Sequence, residues 1–350
     1  MRNARAPVIS IVSWILLGLL TIATGSWGVL ALAFSGPYSD MVRSILAIAF
    51  GIILLSTLIA LGFRRWRWQV LIGYYALFLI LLVWWSNISP SNERNWQTDV
   101  AVLPYATIEG NLITVHNIRN LNYRSETDYT PSYYDKRFDL NNLEAVDIVA
   151  SYWMGPAIAH IFLSFAFLDD NYLAISIETR KEKGEDYSSI KGFFRQYELI
   201  YVVADERDII RLRTNYRENP PENTYIYRVN GPIENGRRLF LEYMRRINEL
   251  KTRPEFYNTL TTNCTTSIWL NSRVNPPQLP FNWKILASGY LPELLYEHGK
   301  LKTDGLTFPE LQQLSHINAR ALAADDAVDF SRLIRAKDTH IPTTPPQVLN

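Results

Sequence analysis

Cysteine is almost missing from this chain: Cys264 is the only one in 350 residues. A lone thiol forms no internal disulfide and builds no multi-cysteine metal site, so it is either an inert packed residue or a reactive one. There is no glycine-rich phosphate loop, no His-Glu-x-x-His sequence and no paired-cysteine motif, so nothing calls for a nucleotide, a metal or any other cofactor. Charge of one sign is lacking too. The formal net charge is +1, which gives no argument for a nucleic-acid partner. Acids are scarce in the first 86 residues, and nearly all the charge lies after Asn87. No internal repeat is visible.

Three apolar runs are present instead, Val8–Phe34, Ser44–Phe63 and Trp68–Trp85, and none contains Asp, Glu, Lys or Arg. Each supplies about 20 residues, enough for a helix to cross ~30 Å of hydrocarbon. Arg2 and Arg5 precede the first run, which is too long for a cleaved signal peptide and is followed by two more spans. Arg64, Arg65 and Arg67 fill the turn between the second and third. The turn between the first and second holds only Asp40 and Arg43. Basic turns stay in the cytoplasm, so the third helix is expected to exit outward at Trp84 and Trp85, residues suited to the interface. The reading divides the chain into a membrane anchor over 1–86, a polar linker over 87–95, an extracytoplasmic domain over 96–336 and a flexible tail over 337–350, with Pro342, Pro345 and Pro346.

The extracytoplasmic part reads as α+β with an antiparallel sheet. Ala106–Ile108 and Leu112–Val115 form a hairpin across Glu109–Gly110–Asn111. Asp147–Trp153, Ile158–Phe167, Tyr172–Glu178, Phe194–Val203 and Tyr225–Val229 are further strands, the second and third joined by a turn at Asp169–Asp170–Asn171. Helical spacing begins at Pro232–Leu250, resumes at Cys264–Leu270, and gives an amphipathic helix over Ile285–His298 ended by Gly299.

Cys264 follows the polar stretch Thr261–Thr262–Asn263 and precedes the apolar run Ile268–Trp269–Leu270. That places it at the start of a helix, with Thr262 or Asn263 as N-cap. The free N–H groups and dipole there stabilise a thiolate, and the same groups can hold an oxyanion. The bland alternative is a small buried hydrophobe, which its polar neighbours oppose. Of five histidines, His160 stands apart within the nearly apolar Ala157–Phe165. An imidazole in such a strand must be hydrogen-bonded, either to a backbone carbonyl or to a thiol for which it acts as base. Glu178 ends the returning strand, on one face with Tyr172, Ala174 and Ser176. It can orient the histidine, or simply pair with Arg180 or Lys181. The charge-dense Arg180–Asp186 reads as a solvated loop or as a neighbour of lipid headgroups.

Several strings resemble one bacterial family: Ser151–Tyr152–Trp153, Ala159–Phe165, Ser176–Glu182, Tyr197–Tyr201, Leu212–Asn215 and Asn263–Cys264–Thr265–Thr266. The family is that of the lipoprotein N-acyltransferase Lnb, and the likeness runs from about Trp96 to Arg335. The resemblance implies transfer of an acyl chain from a phospholipid donor to the α-amino group of a diacylglyceryl-modified lipoprotein, at the bacterial inner membrane. It implies Cys264 as nucleophile, His160 as base and, less directly, Glu178 as third member. Tyr257, Asn263, Thr265 and Arg180 are expected to serve substrate or oxyanion binding. The order histidine, acid, cysteine is also that of permuted papain-like (NlpC-type) folds, which include lecithin:retinol acyltransferase; that comparison is analogy. Two other readings remain: a membrane-tethered cysteine peptidase or peptidoglycan amidase using the same dyad, and a non-enzymatic scaffold. In a scaffold, Cys264 and His160 would lie far apart.

Overall fold

The computed structural model describes residues 5–336, so the tail expected over 337–350 lies outside the described residues. The three apolar runs are helices α1 (Arg5–Phe34), α2 (Asp40–Ala60) and α3 (Arg67–Ser86), each long and apolar enough to cross a membrane. Asp40 and Arg43, expected in a turn, instead form the first turn of α2, where they pair with each other. A carboxylate is at home there because it faces the unsatisfied N–H groups of the helix start.

The chain packs as two units. One contains the three helices together with two strips of later chain, residues 185–198 and 255–259. The other holds nearly all of the remaining sequence. A division of the chain at residue 86 does not foresee those strips.

The second unit is built on a sheet of eight strands: β1 (Tyr105–Glu109), β2 (Leu112–Arg119), β5 (Tyr133–Asp139), β6 (Leu143–Tyr152), β7 (Ala159–Phe167), β8 (Asn171–Arg180), β9 (Glu198–Ala204) and β10 (Asn223–Arg228). Its order is β1-β2-β9-β8-β7-β6-β10, with β5 also on β2. A small hairpin, β3 (Asn122–Tyr123) and β4 (Tyr129–Thr130), stands apart. The α+β class is as expected, but the sheet is mixed: β2 and β9 pair parallel at Arg119 and Ala204. The reason is connectivity. Four sheet strands intervene between β2 and β9, and so long a connection lets the chain return in the same direction.

Alternation divides the strand residues between two cores. Val149, Phe162, Ala174, Ile200 and Val202 point into a cluster with Ile209, Ile210 and Phe330, the first two from helix α4 (Glu206–Arg211). Phe165 and Phe167 point the other way, onto Phe240 of helix α5 (Ile233–Thr252). Helix α6 (Cys264–Asn271) is tied to the sheet by an Asn271 side-chain bond to the Tyr201 hydroxyl, 3.0 Å.

Two expectations give way. Phe194–Val203 becomes a strand only from Glu198, because residues 191–193 form a 3₁₀ turn. The amphipathic run Ile285–His298 is three short pieces, Trp283–Leu286, Ser288–Tyr290 and Leu291–Glu297. Gly289 explains the break: its N–H bonds the Ala157 carbonyl at 3.0 Å, and a Cβ there would lie 2.1 Å from the Pro156 carbonyl oxygen. The backbone of β7's entry loop occupies the space a continuous helix needs. Gly289→Ala is expected to destabilise the protein by about 1–3 kcal/mol, the cost of overpacking. Thermal unfolding of the purified chain should show a lowered midpoint; an unchanged midpoint would mean the loop yields freely.

Candidate active site

The geometry starts from strand register. β7 and β8 pair with Leu163 opposite Ile175 and Phe165 opposite Leu173. Continuing that register brings Glu178 across from His160, at the strand ends nearest the start of α6. The imidazole Nε2 lies 2.6 Å from the Ser176 hydroxyl, which donates to Glu178 Oε1 at 2.7 Å. Nε2 and Oε1 themselves are 3.5 Å apart. A carboxylate only accepts, so Ser176 gives its proton to Glu178 and takes one from His160 Nε2–H. That fixes the tautomer and leaves Nδ1 as the basic nitrogen. The remaining partner of the imidazole is the Cys264 thiol, to which it is hydrogen-bonded.

The cysteine is half-buried and is the first residue of α6. Asn263 is the N-cap. Its side-chain oxygen accepts from the Thr266 N–H at 2.8 Å and from the Thr266 and Thr265 hydroxyls at 2.6 and 3.0 Å. The Thr265 hydroxyl also reaches the Ile285 carbonyl at 2.6 Å, so it braces the helix start. Backbone N–H groups of Ile161 and Thr265 hydrogen-bond the Cys264 side chain.

These contacts set the charges. Burial pushes the Cys264 thiol up, but the hydrogen bond and charge of His160 and the two N–H groups outweigh it, and the net shift is downward. Burial, and then the Arg213 charge, pull His160 down; the Cys264 thiol and the Glu178 carboxylate reverse this, and its pKa is raised. Burial opposes ionisation of Glu178, yet His160, Arg213 and Arg119 hold it well below the usual carboxylate range. A thiolate, an imidazolium and a carboxylate are thus mutually stabilised.

Behind Glu178 stands Arg213, buried on a π turn over Leu212–Tyr216. It lies 3.4 Å from Glu178 Oε1 and 3.0 Å from Glu222 Oε2. Glu222 is also held by Arg217. Irregular turns of this kind recur at functional sites because they re-aim one side chain without ending the helix.

Cys264, His160, Glu178, Asn263 and Thr265 therefore come together in one unit, and a scaffold's separation of cysteine from histidine is not what the structure has. Tyr257 packs in the membrane unit, its N–H on the Tyr197 carbonyl at 3.0 Å. Arg180 is a correction. β8 runs on to residue 180, so this side chain is no part of a solvated loop or headgroup site. It is buried, donating to the Val100 and Ala101 carbonyls at 2.9 and 2.8 Å and stacking on Trp96 at 4.3 Å. Sequence reasoning missed Ser176, although it shares a strand face with Glu178. It also missed Arg213 and Glu222. The Leu212–Asn215 string was the signal available for Arg213. Ser176→Ala is expected to lower turnover roughly 10- to 100-fold, the worth of a charge-assisted hydrogen bond. The alkaline limb of its pH profile should move down; an unmoved limb would mean Ser176 only fills space.

A cysteine at a helix start, facing a histidine held by a carboxylate, on a mixed sheet that follows three apolar helices, defines a membrane-anchored protein with a thiol–imidazole–carboxylate site. Residues 129–289, which include all three side chains, match the family model of the Lnb N-terminal periplasmic domain. The chain is thus a membrane protein with a periplasmic domain. No curated protein and no solved structure matches it.

Proposed function

We propose that the chain is a lipoprotein N-acyltransferase of the inner membrane, working through an acyl thioester on Cys264. The observation that carries the reading is the hydrogen-bonded set Cys264–His160–Ser176–Glu178, joined to a family match and three membrane-capable helices.

In the resting pair the thiolate faces an imidazolium. The sulfur attacks an ester carbonyl of a phospholipid, forming a C–S bond, and N–H groups at the start of α6 stabilise the oxyanion. The ester C–O bond breaks as His160 gives its proton to the departing glycerol oxygen, so lysophospholipid leaves with a free hydroxyl. The neutral α-amine of a diacylglyceryl-modified cysteine then attacks the thioester. His160 Nδ1 takes the amine proton, the C–S bond breaks, and thiolate and imidazolium are restored beside the new amide. Ser176 and Glu178 keep the imidazole in the tautomer that both steps need.

This form requires a deprotonated cysteine and a protonated histidine. Activity should rise through the lowered cysteine pKa and fall through the raised histidine pKa, as apparent values of the pair. Glu178→Gln removes a stabiliser of the imidazolium, so the alkaline limb should shift to lower pH and the plateau narrow. An alkaline limb that stays in place would remove Glu178 from the mechanism.

The test is mass spectrometry of a lipoprotein N-terminal peptide from cells that depend on this protein alone for N-acylation. Triacylated peptide with the wild type, and diacylated peptide with Cys264→Ala, is the expected pair. Diacylated peptide in both would contradict the acyl-transfer reading and direct the search to peptidoglycan cleavage.

A further inference from the structure

Residues 185–198 read as ordinary soluble sequence, yet they pack with the membrane helices. Arg195 sets the height of this strip. Its Nη1 donates to the Trp85, Ser86 and Ile88 carbonyls at 2.9, 3.1 and 3.0 Å, and its guanidinium lies 4.0 Å from the Trp85 ring centre. The Trp85 and Ser86 carbonyls belong to the last turn of α3, and that of Ile88 lies just past it. The other two helices hold the strip at the same end. Ser35, just past α1, donates to the Phe194 carbonyl at 2.5 Å, and Arg43 near the start of α2 reaches Gln196 at 3.1 Å. Phe194 completes the attachment, its ring 6.2 Å from those of Trp27 and Phe34.

Three large side chains of the strip are open, alongside exposed Asp186 and Ser189. Tyr187, Ile190 and Phe193 are 49%, 56% and 42% exposed. The second strip is clamped to this one. Thr259 donates from its N–H to the Gly192 carbonyl at 3.3 Å and from its hydroxyl to the Ser189 carbonyl at 2.7 Å. The approach is so close that a Cβ on Gly192 would lie 2.3 Å from the Thr259 hydroxyl. Tyr38 and Met41, at the same end of the helices, are exposed as well.

We propose that residues 187–193 form an interfacial foot whose partner is lipid: Ile190 and Phe193 lie at the headgroup–acyl boundary of the outer leaflet, with Tyr187 at headgroup level. Water is a poor neighbour for three large apolar side chains within seven residues, whereas this depth suits aromatic and aliphatic groups together. Continuity with the helix ends selects lipid over a protein partner, since every other exposed apolar side chain at that level must meet acyl chains. The foot is thus a fourth membrane contact, lying in the interface where the three helices span it. It rests on the membrane orientation and not on the acyl-transfer reaction.

The test uses the full chain with its only cysteine replaced, Cys264→Ser, and one new cysteine at a time: Ile190→Cys, Phe193→Cys, and Val328→Cys as the water-exposed control, that side chain being 90% exposed. Each is labelled with an environment-sensitive fluorophore in phosphatidylcholine–phosphatidylglycerol nanodiscs. The probes at 190 and 193 should emit at shorter wavelength than the control. They should be quenched several-fold more strongly by a nitroxide near the headgroup than by one at the chain end. Emission and quenching equal to the control at both positions would overturn the proposal. A second measurement needs no substitution: the wild-type chain, with phospholipid carrying a photoreactive group next to the acyl carbonyl, should give crosslinks on the peptide containing residues 187–193. Crosslinks on α2 with none on that peptide would equally overturn it.

Discussion

His160→Ala is expected to lower acyl transfer by roughly 10,000-fold or more while leaving the fold intact, as removal of one member of a nucleophile–base pair does. The imidazole does two things that no neighbour can replace. In the proposed mechanism it holds the proton that would otherwise return to the Cys264 sulfur, consistent with its raised pKa and the lowered one of the thiol, and delivers that proton to the leaving group. Ser176 sits on the far ring nitrogen, so it cannot stand in for Nδ1. Without His160, only the two backbone N–H groups oppose burial at the thiol, so its pKa rises and the little remaining activity should also need higher pH. Single-turnover assays in proteoliposomes, with circular dichroism as a control for folding, would check this. A fall of only a few-fold would mean that some other group makes the thiolate.

Arg213→Met should produce the largest loss of stability. The guanidinium is buried between Glu178 and Glu222, and removing it leaves two carboxylates facing an apolar side chain. Breaking a buried ion pair from one side costs about 3–5 kcal/mol; the lower end applies, because Glu222 keeps Arg217. The same substitution removes a positive charge that opposes protonation of His160. In whatever fraction folds, the alkaline limb of the activity profile should therefore move up, opposite to its movement in Glu178→Gln. Denaturant unfolding in detergent gives the first quantity and a pH–rate profile the second. Adding Glu222→Gln should restore part of the stability by discharging one of the exposed partners. No recovery would show that Arg213 acts through its packing on Phe162.

The membrane helices were legible because their signal is local: about 20 consecutive apolar residues are decided by composition, without reference to the rest of the chain. The same holds for β6, β7 and β8, whose apolar alternation and aspartate-rich turn are read within a dozen residues. Asp169 and Asp170 indeed take the positive φ values, 62° and 53°, that such a turn needs. Cys264 and His160 stood out because each departs from its surroundings, a polar loop in one case and an apolar strand in the other.

What stayed hidden depends on contacts far apart in sequence. Arg180 looked like the start of a charged loop; only the extension of β8 past Glu178 turns it onto the Trp96 ring. Arg213 is one of many arginines until a π turn brings it under Glu178 from 35 residues away. The run Ile285–His298 has real helical periodicity, and it is broken by the approach of Pro156 to Gly289, which no local pattern records. Strips 185–198 and 255–259 belong to the membrane unit for the same reason: Arg195 is a basic residue in a loop until the end of α3 supplies its carbonyls.

The most direct test of the mechanism is intact-protein and peptide mass spectrometry of the purified full-length chain incubated with one defined phospholipid and no acceptor. One hydroxylamine-labile acyl group is expected on the Cys264 peptide, with an equal amount of lysophospholipid released and no label on Cys264→Ala. Acylation of an added lipoprotein without any acyl group ever forming on Cys264 would contradict the mechanism.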